Sequence, residues 1–191
     1  MKRVAVRKED IRTIRTKNDL ATALASLLNQ RSLHAITVPD ITEEALVSKN
    51  TFYTHFRSKE ALAAFYISRE LAPLTESLDK LFQEVKKARR LLKRSVRVAM
   101  DFVDERKETY RLMFAHDKYR LLEREIREVV FLRLKERQEK YGYLSANENL
   151  LRYYANVYVE LAYRLLTEDK KVRKKKLAKE VRRFSAPLFD L

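Results

Sequence analysis

The sequence predicts an all-α protein with a small three-helix head at the N-terminus and a larger helical bundle behind it. Three observations carry that expectation. The 191 residues include one glycine and three prolines, too few turn signals for hairpins and sheets. Apolar residues recur at spacings of three and four instead of alternating. Several of these stretches open on Ser or Thr with an acidic residue two or three positions on, which is how helices start.

Composition narrows the class. Charged residues make up 36% and hydrophobic ones 46%, enough to bury one good core, or a small head and a larger body. There is no cysteine, which excludes disulfides and thiolate metal sites. No apolar run reaches about 18 residues and no signal peptide is visible, so the expectation is a cytoplasmic chain with no membrane partner. The formal charge of +15 points to polyanions, nucleic acid first. Residues 1–60 hold 11 Lys/Arg and 7 Asp/Glu, a net of +4, so most of the excess lies further on.

Taken in order, residues 1–10 read as a basic arm with Lys2, Arg3, Arg7 and Lys8. Thr16 to Asn29 follows as an amphipathic helix with Leu20, Leu24, Leu27 and Leu28 inward, and Thr16 and Asp19 have cap spacing. Thr37 and Asp40 open a short helix that buries Val38, Ile41 and Ala45; Pro39 is tolerated in a first turn. The chain turns at Leu46–Val47, and Ser48 is placed to cap a second short helix, Lys49 to His55. Phe52 and Phe56 pack inward from it, leaving Lys49, Asn50, Thr51, Tyr53 and Thr54 on outer faces. A short, capped helix carrying hydrogen-bonding groups of modest length suits the DNA major groove.

The stretch Thr37–Leu62 resembles the helix-turn-helix of the TetR family of bacterial transcriptional regulators, whose pattern is similar to T-V-x-D-I-x-x-x-A-G-V-S-x-G-T-x-Y-x-H-F-x-S-K-E-x-L. The match holds at Thr37, Val38, Asp40, Ile41, Ala45, Val47, Ser48, Thr51, Tyr53, His55, Phe56, Ser58, Lys59, Glu60 and Leu62. It departs at Leu46 and Asn50, where the family commonly has glycine. Leu46 leaves the turn without a residue at ease with positive φ. The resemblance implies a DNA-binding domain over 1–57 and a connector, effector-binding and dimerisation domain over 58–191. Lys49, Asn50, Thr51 and Thr54 are expected near base edges, with Ser48 beside them at the helix start. Thr37, Tyr53, His55 and Lys59 are expected to hold phosphates.

Ser58 begins the connector, with Leu62, Phe65 and Tyr66 inward; Pro73 is expected to kink it or end it near Ala72. In the family, motion of this helix passes ligand binding to the heads. Lys86 to Arg97 carries seven basic residues and no acid. It reads as a solvated face or an anion site. Tyr110, Met113 and Phe114 suggest a short apolar helix. Tyr119 to Lys140 is a long one, with Leu122, Ile126, Val129, Val130 and Leu134 inward, and Gly142 can terminate it. Leu150 to Leu166 is apolar around much of its perimeter, more than a helix packed on one side needs. Lys170 to Arg183 holds nine basic residues and one acid above a stripe of Val172, Leu177, Val181 and Phe184.

The last two helices are similar to the pair that builds the TetR-family dimer interface, with Leu151, Tyr154, Tyr158, Leu161, Leu165, Val181 and Phe184 as candidates. Phe82, Phe102, Tyr110, Met113, Phe114, Phe131, Tyr154 and Tyr158 could line an effector pocket or simply fill a core. No Gly-rich phosphate loop, nucleophile elbow or H-E-x-x-H occurs, and His34, His55 and His116 lack metal-ligand partners at helical spacing. No enzyme, cofactor or metal is therefore expected. The reading is a dimeric, TetR-type repressor binding double-stranded DNA, with an apolar, neutral or anionic effector. The alternative keeps the DNA-binding head but gives the body a partner protein in place of a small molecule. An enclosed apolar cavity of about 300 Å³ or more would favour the ligand, and a solid core with an exposed apolar patch would favour the partner.

Overall fold

A computed structural model describes residues 11–107, 110–111, 121–142, 146–167 and 174–189; these hold helices and no strand. The first, α1 (Ile11–Leu28), starts well before Thr16. Thr16 does not cap it. Its hydroxyl donates to the Arg12 carbonyl one turn back at 2.9 Å, because residues 11–15 are already helical. Leu20, Leu24, Leu27 and Leu28 face inward as spaced.

The short helices are α2 (Val38–Glu44) and α3 (Lys49–His55). Thr37 and Asp40 form a reciprocal capping box at the start of α2. Ser48 accepts the Thr51 amide at 3.0 Å at the start of α3. Between them Leu46 takes φ +54°, so the left-handed turn is made without glycine. The connector α4 (Lys59–Glu84) is capped by Ser58 and runs through Pro73 without ending.

The body adds α5 (Ala88–Glu105), α6 (Leu121–Tyr141), α7 (Glu148–Thr167), α8 (Lys174–Ser185) and a final 3₁₀ turn, Ala186–Phe189. Both α5 and α6 pack on α4, α7 pairs with α6, and α8 lies on α5. Gly142, at φ +64°, closes α6 by donating its amide to the Gln138 carbonyl at 3.0 Å. The apolar helix expected at Tyr110–Phe114 lies largely outside the described residues, as do residues 1–10 and the basic stretch 168–173.

Two apolar cores result. One joins α1, α2 and α3 to Leu62, Ala63, Tyr66 and Ile67 of α4, and takes in Val129 of α6. The head core therefore continues past residue 57 and into the body. The other gathers Phe82, Leu91, Phe131, Leu151, Tyr154 and Leu188. This second core corrects the expectation for α7. Leu151 and Tyr154 are buried within their own chain, with the Tyr154 and Phe184 rings 5.0 Å apart. Helix α7 packs chiefly on α6, and its Tyr154 meets Phe184 of α8, so Leu151 and Tyr154 are covered within their own chain. Val181 and Phe184 are half-buried against the same core. The side chains of Leu161 and Leu165 lie outside the described residues. Exposed instead on α7 are Leu150 and Tyr153, with Leu132 exposed on α6.

Candidate nucleic-acid interface and body cavity

The outer face of α3 is built from its buried one. Phe52 and Phe56, one turn apart, fix the helix against the head core with ring centroids 6.0 Å apart. Lys49, Asn50, Tyr53 and Thr54 are consequently exposed, and Thr51 and His55 are half-exposed. The side chains of Lys49, Asn50, Tyr53 and His55 make no polar contact among the described residues and are open to an incoming partner. The threonines are partly committed. Thr51 and Ser48 share a hydroxyl hydrogen bond of 2.8 Å, and Thr54 donates to the Asn50 carbonyl at 2.9 Å.

Three expected DNA-contacting residues serve the fold. Thr37 donates its amide and its hydroxyl to Asp40, each at 2.7 Å. Ser48 is the α3 cap. Lys59 departs furthest from expectation. Its Nζ donates to the carbonyls of Ile36 at 2.7 Å, Leu33 at 2.8 Å and His34 at 3.1 Å. An ammonium has three N–H donors, and all three are taken here, so Lys59 ties the α1–α2 loop to α4. Sequence reasoning missed Arg57, exposed between α3 and the α4 cap. It occupies a position that the family pattern leaves open, so the motif carried no signal for it.

Electrostatics hold the capping box together. Hydrogen bonds from Thr37, with Arg31 at 3.2 Å, keep the Asp40 carboxyl below its ordinary 3.8 and so ionised.

Within the body, α4, α5, α6 and α7 surround a cavity of about 280 Å³. Of the residues expected to line a pocket, Phe82, Phe102, Tyr110 and Tyr158 do so. Phe131 and Tyr154 belong to the second core and are absent from the wall, because each turns toward the α7 and α8 packing. Met113 and Phe114 lie outside the described residues. The sequence also gave no sign of the polar groups in the wall, Glu70, Ser95, Arg133 and Arg137 among them. Arg137 is held by Asp79 at 3.1 Å and the Thr75 carbonyl at 3.0 Å. Burial lowers its pKa, and Asp79 opposes that shift. Tyr66, Ile67, Leu71, Tyr110 and Ile126 line the cavity and also pack in or against the head core. One set of side chains is thus shared by the two.

The profile of the bacterial regulatory proteins of the tetR family matches residues 20–64, the stretch that holds the capped helix pair. The head belongs to the TetR family. The chain carrying this TetR-family head is 28% identical over 101 residues to the transcriptional activator FasR of Mycolicibacterium smegmatis. That alignment covers 53% of this chain and 46% of FasR, so the chain matches less than half the length of that curated relative. The whole fold is similar to that of Lin0861 from Listeria innocua, with a TM-score of 0.71 at 19% identity, covering 95% and 94% of the two chains. It is also similar to Thermus thermophilus FadR, a TetR-family transcriptional repressor solved in complex with lauroyl-CoA. There the TM-score is 0.57 at 22% identity, covering 88% and 92%. At these identities the likeness establishes the TetR-like fold of head and body.

Proposed function

We propose that the chain is a ligand-responsive transcriptional repressor of the TetR type, acting in the cytoplasm as a dimer on a near-palindromic operator. The observation that carries this reading is the wall shared by the cavity and the head core. A molecule filling the cavity must press on Tyr66, Ile67 and Tyr110, which also support the helices beneath α3. In this reading Lys49 and Asn50 approach base edges, Tyr53 and His55 hold phosphates, and Arg57 adds a further phosphate contact. Thr37 and Ser48 fix the geometry of the helices that present them.

At about 280 Å³ and partly open, the cavity falls just short of the enclosed volume set for a ligand site, but the chemistry of its wall suits a small-molecule effector. Its wall is largely aliphatic and aromatic, so burial of apolar surface would supply most of the affinity, about 25 cal/mol per Å² before ordering costs. The seven cations of Lys86–Arg97 are exposed and bear no ion pair among the described residues. Their field favours a neutral or anionic molecule. The lauroyl-CoA bound by Thermus thermophilus FadR makes a long-chain acyl thioester the first candidate to try.

The test is to map DNA sites bound across a genome and then challenge the purified complex with apolar ligands of each charge. Near-palindromic sites released by acyl thioesters would support the reading. Release by cationic lipophiles alone would overturn the choice of effector. Binding without sequence preference, or loss of none of it in Asn50→Ala, would overturn the base-reading role.

A further inference from the structure

Resting on the reading of the cavity as a ligand site, we propose that it takes an elongated, mainly apolar molecule carrying oxygen along its chain, held by Ser95 and Tyr110. Ser95 Oγ and Tyr110 Oη are both shielded from solvent, and neither has a hydrogen-bond partner among the described residues. Both residues line the cavity. Of the other tyrosines at this wall, Tyr158 is satisfied internally, its Oη 2.7 Å from Ser185 Oγ. A buried hydroxyl left unpaired costs free energy, and such exceptions in a folded protein call for a cause.

Ser95 is the one Ser or Thr among the described residues whose hydroxyl is both buried and unpaired. Thr16, Thr54 and Thr75 each bond the carbonyl one turn back, whereas Ser95 does not. Tyr110 remains a neutral donor, since burial and then the nearby Glu70 push its pKa up to about 12. Ser95 lies two turns before Phe102 on α5, roughly 10 Å along the axis, and the Phe102 ring stands 6.4 Å from that of Tyr110. A plain hydrocarbon would fill the space and leave both hydroxyls unpaired. A chain bearing a carbonyl, ester or hydroxyl would satisfy one or both. An oxygen at Tyr110 would sit at the end of the cavity nearest the head, because Tyr110 also packs on the head core.

The experiment compares decane with methyl octyl ketone, a matched chain that adds one oxygen. Binding is measured by calorimetry and thermal shift on the full-length protein, the Ser95→Ala and Tyr110→Phe variants, and the double variant. The wild type should prefer the ketone by about tenfold, the worth of one buried hydrogen bond. The double variant should bind the two equally, with decane affinity unchanged, and the single variants identify which hydroxyl is used. Stability without ligand should be equal or higher in the variants, since no internal bond is lost. Three results would overturn the proposal: no preference in the wild type, a preference that survives in the double variant, or a destabilised double variant. If neither probe binds the wild type, the ligand reading of the cavity falls, which is a separable outcome.

Discussion

Lys59 Nζ donates to the Ile36 carbonyl at 2.7 Å across a sequence gap that spans both short helices. With Leu33 and His34 also bound, the first turn of α4 grips the backbone that leads into Thr37. Lys59→Met should therefore destabilise the head by about 1.5–3 kcal/mol, the range for hydrogen bonds to a charged group. The salt dependence of DNA binding should keep its slope, because no phosphate contact is removed. Chemical denaturation and a salt titration check both halves. A slope reduced by one with stability intact would restore the phosphate role.

Asp40 sets an acid limit on the same region. Its folded pKa is depressed by Thr37 first and Arg31 after. A depressed carboxylate contributes stability that is fully present above its unfolded value, near 3.8, and is lost as pH falls through the folded one. The stability gap between wild type and Asp40→Asn should accordingly be constant at neutral pH and close below 3.8. A gap independent of pH would show that the carboxylate charge is not what holds the box.

Leu46 is 92% exposed and sits at φ +54°. Its side chain loses no burial if removed, whereas the left-handed backbone costs an L-residue about 1–2 kcal/mol. Glycine gives back part of that through its looser unfolded chain. Leu46→Gly should thus stabilise the head by about 0.5–1 kcal/mol in denaturant titration. A loss of stability would mean that the leucine makes contacts beyond those of the folded monomer.

The dimer surface proposed for α7 shifts by one residue from its sequence expectation. Tyr153, 54% exposed, and Leu150 face outward where Leu151 and Tyr154 do not. Tyr153→Glu with Leu150→Asp should give a folded monomer in sedimentation, with operator affinity strongly reduced because two half-sites are no longer held together. A folded dimer would place the interface elsewhere.

The head was legible because its signals are local. Capping residues, a four-residue aromatic spacing and a motif all lie within Thr37–Leu62, and the helix bounds of α3 follow from them. The tying role of Lys59 was hidden because its partners, three carbonyls from Leu33 to Ile36, become neighbours only when the loop folds back. Which α7 residues are buried within the chain was hidden for a related reason. An apolar perimeter on every side does not say which neighbour covers which side, and Leu151 and Tyr154 look no different in sequence from Leu150 and Tyr153. Ser95 lay hidden in a run of cations, because a hydroxyl becomes informative only once it is seen to lack a partner.

Pro73 has no amide hydrogen, so the Arg69 carbonyl in the middle of α4 lacks its helical donor. A long helix notched at its midpoint bends there before it moves as a rod. The residues that line the cavity fall on both sides of the notch, Tyr66 and Ile67 toward the head and Leu78 and Phe82 away from it. Occupancy and response then come apart. Molecules long enough to press on the near half would release the operator. If the chain is the ligand-responsive repressor proposed above, shorter ones resting only against the far half would bind and leave the DNA held, competing with the inducer as antagonists built from the same chemistry.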